Sequence, residues 1–473
     1  MKKTKIIATI GPASRDPEIL EKLMEAGMNV CRLNFSHGTH AEHASLIQDI
    51  RRVASRLGLP VAILQDLSGP KIRTGIMGAG EITLQVGQKF VLTNRDVPGD
   101  ENEVGLTYPG LPQNVHSGDT LLLADGAMEL EVESATATDV NCTVKVGGQL
   151  TSHKGINLPD RSINVPILSD KDEADLKFGM EHGVDFIALS FVRTAHDVRT
   201  VKKIIQAAGK DTPLIAKIEK FEAIDNIDEI IAESDGIMVA RGDLGVEIPL
   251  EQLPRVQKMV IRKTNAVAKP VITATQMLRS MVDRPRPTRA EVTDVANAIF
   301  DGTDAIMLSE ETAMGRYPIK SVRVMTRVAA DIESHFDYEE WTLRHENNAK
   351  LSFKEAVAHA AVKMSEDIQS SAILTCTKSG STTRRVARYR PRQELLVMTP
   401  VEETARRMAL TFGAVPIVIP QVQNAEDLER TSIASALEGG YVKPGQSVVL
   451  TAGIPFGVEG TTNMIKVATA EWS

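Results

Sequence analysis

The segment Leu214-Ile-Ala-Lys-Ile-Glu219 sets a lysine and a glutamate two residues apart on an apolar, strand-like run. Alternate side chains of a strand share a face, so Lys217 and Glu219 point the same way. A buried ion pair would be a weak structural reason for them, because desolvation offsets the attraction. The next apolar run ends in Val239-Ala-Arg-Gly-Asp243 and brings a second carboxylate to a neighbouring strand end. Two carboxylates, Glu219 and Asp243, suit Mg²⁺ (or Mn²⁺), which fills its remaining positions with water and substrate oxygens. Lys217 then supplies positive charge where a transferring phosphoryl group spreads its own. Arg32 and Arg73 flank these residues, and arginine matches phosphate with two parallel donors. Gly242 permits close approach of a ligand to the backbone. The following Leu244-Gly-Val-Glu-Ile-Pro249 reads as a short helical turn whose N–H groups can hold an anion. No P-loop and no nucleotide-binding glycine fingerprint is present, so any nucleotide is held by another device.

These residues need a frame that gathers strand ends. Short apolar runs recur at Ile6–Ile10, Val30–Phe35, Val61–Leu64, Phe186–Leu189, Leu214–Ile218, Ile237–Ala240, Val271–Thr273 and Ala305–Leu308, each followed by a helix-like stretch. Runs of this kind fit strands buried on both faces, and the alternation argues parallel βα units. Eight units predict a TIM (β/α)8 barrel, whose active sites lie at the C-terminal strand ends. Polar residues do follow the runs there: Thr9, Arg32 with Asn34 and Ser36, Asp66, Ser190, Lys217 with Glu219, Arg241 with Asp243, Thr275, and Ser309 with Glu311. The grammar breaks once. Between the third and fourth runs five strand-like segments replace the helices, which predicts a small all-β insertion able to act as a lid. The expected division is barrel at 1–70, insertion at 71–164, barrel again at 165–340, and a C-terminal α/β domain at 341–473. The polar stretch His335–Lys350 reads as a connector.

Composition narrows the class. Of 473 residues 42% are hydrophobic and 25% charged, which is ordinary for a globular enzyme. Net charge is −8 and aromatics are 4%, which speaks against a nucleic-acid or anionic-membrane partner. Three scattered cysteines form neither a disulfide framework nor a zinc site. With no apolar segment behind the basic start, a cytoplasmic location is expected.

Several blocks together resemble the pyruvate kinase family. They are Asn34-Phe-Ser-His-Gly38, Asp66-Leu-Ser-Gly-Pro-Lys-Ile-Arg73, Lys154-Gly-Ile-Asn-Leu-Pro159, Ala216-Lys-Ile-Glu219, the stretch Asp235–Glu247, Thr273-Ala-Thr-Gln-Met277, Arg286-Pro-Thr-Arg-Ala-Glu291 and the stretch Asp301–Ser309. They occur in the family's order and span the barrel. The resemblance implies Mg²⁺-dependent phosphate transfer from phosphoenolpyruvate to ADP, giving pyruvate and ATP, by a homotetramer. It assigns Lys217 to the phosphoryl group, Glu219 and Asp243 to the metal, and Arg32 and Arg73 to phosphate. Gly242, Asp243 and Thr275 would meet the substrate carboxylate. Thr275 would also lie near the protonated carbon, with Ser309 and Glu311 as relay partners. Asn34, Ser36, His37, Arg73 and Lys154 match positions near the nucleotide. The other reading kept open is a Mg²⁺-dependent TIM-barrel aldolase or lyase working on a pyruvate enolate.

Two positions depart from the family pattern. Its Ser-Gly-Glu or Ser-Ala-Glu reads Ser309-Glu-Glu311 here, with Glu310 as an extra acid. Many members also need K⁺, held by residues matching Asn34, Ser36, Asp66 and the backbone of Leu67, and carry a glutamate where this chain has Lys71. A lysine ammonium carries the ion's charge and can donate to the oxygens that would coordinate it, so K⁺ is expected not to be required. In the C-terminal domain, Thr375-Cys-Thr-Lys-Ser-Gly-Ser-Thr-Thr383 matches the family's effector loop. Thr375, Thr377, Lys378, Ser379, Gly380, Ser381 and Thr382 are its candidate contacts. The facing loop, 453–463, carries Glu459 and no basic residue, which favours a monophosphate (a sugar monophosphate or AMP) over a bisphosphate.

Overall fold

The computed structural model describes residues 2–159, 165–346, 351–454 and 461–471. Eight parallel strands close into one barrel. In chain order they are Lys5–Thr9, Val30–Asn34, Ala62–Asp66, Phe186–Leu189, Leu214–Ile218, Gly236–Ala240, Val271–Ala274 and Ala305–Leu308. The first strand pairs with both the second and the eighth, so no edge is left open. All eight apolar runs become barrel strands.

Two apolar clusters explain which side chains enter the mouth. Ile7, Val30, Leu64, Ala188, Ile215 and Met238 fill the barrel interior. Their chain neighbours Ile6, Cys31, Ile63, Leu189, Ala216 and Val239 pack outward against the helices. With a period of two, the inward set continues upward to Arg32, Asn34, Asp66, Ser190 and Lys217. Ala409 and Leu410 of the C-terminal domain plug the opposite end.

The insertion carries a six-stranded sheet and a two-stranded one, around a core that includes Phe90, Leu92, Leu121, Leu130 and Val144. The expected segments all form strands, joined by Glu103–Gly105, Gly148–Thr151 and Ile156–Asn157. Its entry and exit strands lie side by side: Arg73 bridges Gly155, and the Ile156 amide donates to the Ile72 carbonyl at 2.8 Å. The C-terminal sheet has five strands, four parallel and the last, Thr462–Thr469, antiparallel.

The connector expectation needs correcting. Residues Tyr338–Glu346 are helical, and Phe336, Tyr338 and Trp341 form a buried aromatic cluster. The Trp341 indole donates to the Arg388 carbonyl at 2.9 Å. Three aromatics anchor a stretch whose overall polarity suggested none. Arg390, 1% exposed, ties this region to the barrel through Asp304 at 2.9 Å and lies over Phe412. Cys31, Cys142 and Cys376 are buried and free. Among the described residues, no helix is long and apolar enough to cross a membrane.

Candidate active site

Lys217 sits at the barrel mouth inside a ring of acceptors. Its Nζ lies 2.9 Å from Glu219 Oε1, 3.1 Å from Asp66 Oδ1 and 2.7 Å from Ser190 Oγ. Burial works against the ammonium, but Asp66 and Glu219 outweigh it and raise its pKa well above the usual lysine value. Lys217 is therefore a fixed cation and no proton donor near neutral pH. Burial would likewise raise the Asp66 carboxyl, yet Lys217 and Arg32 hold it below the ordinary range. Arg32 Nε lies 2.6 Å from Asp66 Oδ2, and its guanidinium donates to Thr9 Oγ1 at 2.9 Å. Both oxygens of Asp66 are thus committed to cations that face the mouth.

Glu219 is different. Burial raises its pKa, Lys217 opposes that, and Asp243 adds to it. Its second oxygen accepts the Phe191 amide at 2.8 Å. A further cation between Glu219 and Asp243 would relieve both carboxylates. The donor set is hard oxygen on adjacent strand ends, which fits Mg²⁺ or Mn²⁺. No cluster of three or more His, Cys, Asp or Glu occurs among the described residues, so such an ion must draw other ligands from water or substrate.

Asp243 belongs to a helix that begins earlier than expected. It spans Arg241–Glu247, so Gly242 and Asp243 lie in its first turn. The Gly242 amide donates to Thr275 Oγ1 at 2.7 Å, and that hydroxyl donates to the Ala274 carbonyl at 2.6 Å. Thr275 has φ +71, a costly region for a β-branched residue. Arg241 holds it there by donating to the Thr275 carbonyl at 2.7 Å while pairing with Asp294. Arg241 thus positions the threonine and does not itself face the metal site.

The other candidates divide into groups. Ser309 and Glu311 are not hydrogen-bonded to Thr275. Glu311 Oε1 accepts the Leu278 amide at 3.0 Å and Oε2 the Ser309 amide at 2.8 Å, which fastens two loops together. Glu310 turns outward to Arg279 at 2.6 Å. Asn34 ends strand two and Ser36 and His37 follow it, while Arg73 and Lys154 lie on the paired segments that lead into and out of the insertion, where Arg73 bridges Gly155. No hydrogen bond joins these two sets among the described residues. Arg73 donates to the His153 carbonyl at 3.1 Å.

Lys71 takes a place other than the one expected beside Asp66. Its Nζ lies 2.7 Å from Asp243 Oδ1 and 3.2 Å from Asp125 Oδ1 of the insertion. Gly69, at φ +69, turns the chain so tightly over Ser190 that a Cβ there would come within 2.7 Å, and this turn aims Lys71 at the metal side of the mouth. Sequence reasoning noted Ser190 only as a polar strand end, without a role, and left Asp125 out. Ser190 had a signal, a hydroxyl just past an apolar run. Asp125 had only the Asp-Gly turn of Ala124-Asp-Gly126.

In the C-terminal domain Thr377, Lys378, Ser379, Ser381 and Thr382 line a cavity of about 460 Å³. Thr375 does not reach it and bonds Thr383 at 2.7 Å beneath. Gly380 also stays off the lining and caps the helix Ser381–Ala387 at φ +80. On the facing loop Gly453, Thr461 and Thr462 contribute, whereas Glu459 falls outside the described residues.

Comparison with known proteins agrees along nearly the whole chain. The family model described as pyruvate kinase, barrel domain, matches residues 1–322, and that for the pyruvate kinase alpha/beta domain matches 355–468. A pyruvate kinase of Clostridium acetobutylicum is 46% identical over 473 residues, covering 100% of both chains. Those of Staphylococcus epidermidis and Geobacillus stearothermophilus are each 45% identical over 469 residues, with 80% of the relative covered.

Proposed function

This chain belongs to the pyruvate kinase family and is a phosphotransferase, and from that premise we propose that it transfers the phosphoryl group of phosphoenolpyruvate to ADP, giving pyruvate and ATP. The observation that carries the reading is Lys217, a lysine held charged at the barrel mouth between Asp66 and Glu219. It neutralises the phosphoryl oxygens in flight, with Arg32 beside it and Arg73 on the insertion's entry strand. Gly242, Asp243 and Thr275 meet the substrate carboxylate. Glu219 and Asp243 would hold a divalent ion, which neutralises phosphate charge when bound. Loss of the phosphoryl group leaves an enolate, and a proton delivered on the Thr275 side converts it to pyruvate. Glu311 serves that step by fixing the Ser309 loop. Asn34, Ser36, His37, Arg73 and Lys154 face the nucleotide. Disappearance of phosphoenolpyruvate only when ADP is present is the expected result. Its disappearance without ADP would favour a lyase instead.

We read the enzyme as independent of K⁺. Three of the four residues of the expected ion pocket already accept from a protein donor: Asp66 from Arg32 and Lys217, the Leu67 carbonyl from Ser190 at 2.7 Å, and Asn34 from the Ser36 amide at 3.2 Å. Lys71 adds a fixed cation at the same mouth. Activity with Mg²⁺ and tetramethylammonium should change little as K⁺ is titrated in, and Lys71→Glu should create dependence. Many-fold stimulation of the unmodified enzyme would refute this.

The C-terminal cavity is assigned to a phosphorylated effector, a sugar monophosphate or AMP, with Lys378 as its cation. Family membership further supports a cytoplasmic homotetramer. Activation by fructose 1,6-bisphosphate alone, with none by monophosphates, would overturn the effector assignment.

A further inference from the structure

A second cavity of about 440 Å³ lies at the seam between the barrel's N-terminal face and the C-terminal domain. Four cations converge on it: Lys269 from the barrel, and Arg384, Arg385 and Arg407 from the other side. Two carboxylates also line it, and both are engaged. Asp211 pairs with Arg407 at 3.1 Å, while Asp235 pairs with Lys202 at 2.9 Å and accepts the Leu214 amide. Neither Arg384 nor Arg385 forms an ion pair among the described residues. Each has one hydrogen bond, Arg384 to the Ser379 carbonyl at 3.3 Å and Arg385 to the Ser381 carbonyl at 3.0 Å. A guanidinium has five N–H donors, so most of theirs have no protein acceptor. Arg407 Nε is buried without a partner. Lys269 spends two donors on the Ile231 and Ala232 carbonyls and keeps a third.

Burial draws the Arg384 guanidinium down from its ordinary value; Asp235 opposes this, and repulsion from Arg385 and Arg407 adds to it. Half-buried cations held together against such repulsion are what an anion would relieve. The helix Ser381–Ala387 therefore turns its arginines into a domain seam.

We propose that this seam binds a phosphate-class oxyanion, free or as the phosphate of an ester, through Arg384 and Arg385. The site is separate from the effector cavity but shares a wall with it, because Ser379 and Ser381 line both. The carbonyls that the two arginines now hold belong to that wall. Occupancy of the seam therefore acts on the loop that forms the effector cavity.

The test uses the full chain, with inorganic phosphate and AMP as probes, read by calorimetric titration and by thermal unfolding. Saturable phosphate binding is expected, at least tenfold weaker in an Arg384→Met/Arg385→Met double variant and unchanged in Lys378→Met, which alters only the effector cavity. If AMP binding that persists in Lys378→Met weakens in parallel when the two arginine changes are added, the seam takes esters. If only phosphate is affected, it takes the free ion. Should the double variant not fold, Arg385→Gln is expected to weaken phosphate binding severalfold. Absent saturable binding, binding that survives these arginine changes, or binding lost only with Lys378, each overturns the proposal.

Discussion

Lys217 shows how one side chain can be structural and chemical at once. It neutralises two buried carboxylates, so Lys217→Met is expected to lower apo stability by about 3–5 kcal/mol, the usual cost of breaking a buried pair. Arg32 still covers Asp66, so the fold should persist with a single unfolding transition. Turnover should fall by about 10³-fold, as when a transition-state donor is removed. Near-normal turnover in a folded variant would end the assignment. At this scale the sequence was informative about residue types but not about partners. That Lys217 and Glu219 share a face followed from strand geometry. That Lys71 would bond Asp243 and Asp125 did not, because those three residues lie on separate parts of the chain.

Among the described residues, few polar contacts hold the insertion to the barrel. Lys71 bridges Asp125 and Asp243, and the Asn157 amide donates to Glu247 Oε1 at 2.8 Å, both on the Arg241–Glu247 helix side. Asp125→Asn removes one of these charges at an exposed position. Hydrogen exchange in the strand Thr120–Leu123 and the turn after it should speed up severalfold, while barrel strands stay protected. Unchanged exchange would mean that Asp125 does not latch the lid. Barrel strands were legible because continuous apolar runs mark strands buried on both faces. Strands as short as Ile156–Asn157 and Glu103–Gly105, two and three residues long, were not, since they are too short to show a period.

Across the whole molecule, the first barrel strand is wired into the C-terminal domain. Lys5, 6% exposed, donates to the Ala414 carbonyl at 2.6 Å. Burial lowers its pKa from 10.5 to about 8, although Glu333, Glu394 and Asp304 oppose the shift. The unfolded chain thus binds this proton more tightly than the native one between pH 8 and 10.5. The stability that Lys5 contributes therefore rises with pH across that window, and its cost is greatest below it. Relative to Lys5→Met, the unmodified protein should gain up to about 3 kcal/mol between pH 7 and pH 10.5 in urea unfolding. A pH-independent difference would show that the ammonium is fully stabilised in place.

Sequence alone determined the barrel, the inserted β unit, the C-terminal α/β unit and the acid, lysine and arginine types at the mouth. Each of these rests on local periodicity or on residues only a few positions apart. Tertiary structure decided which charges meet. It placed Lys71 on Asp243, made Glu311 a fastener of two loops, and turned Arg384 and Arg385 into a domain seam. Ion pairing depends on distances between strand ends far apart in the chain, and no local pattern encodes those distances.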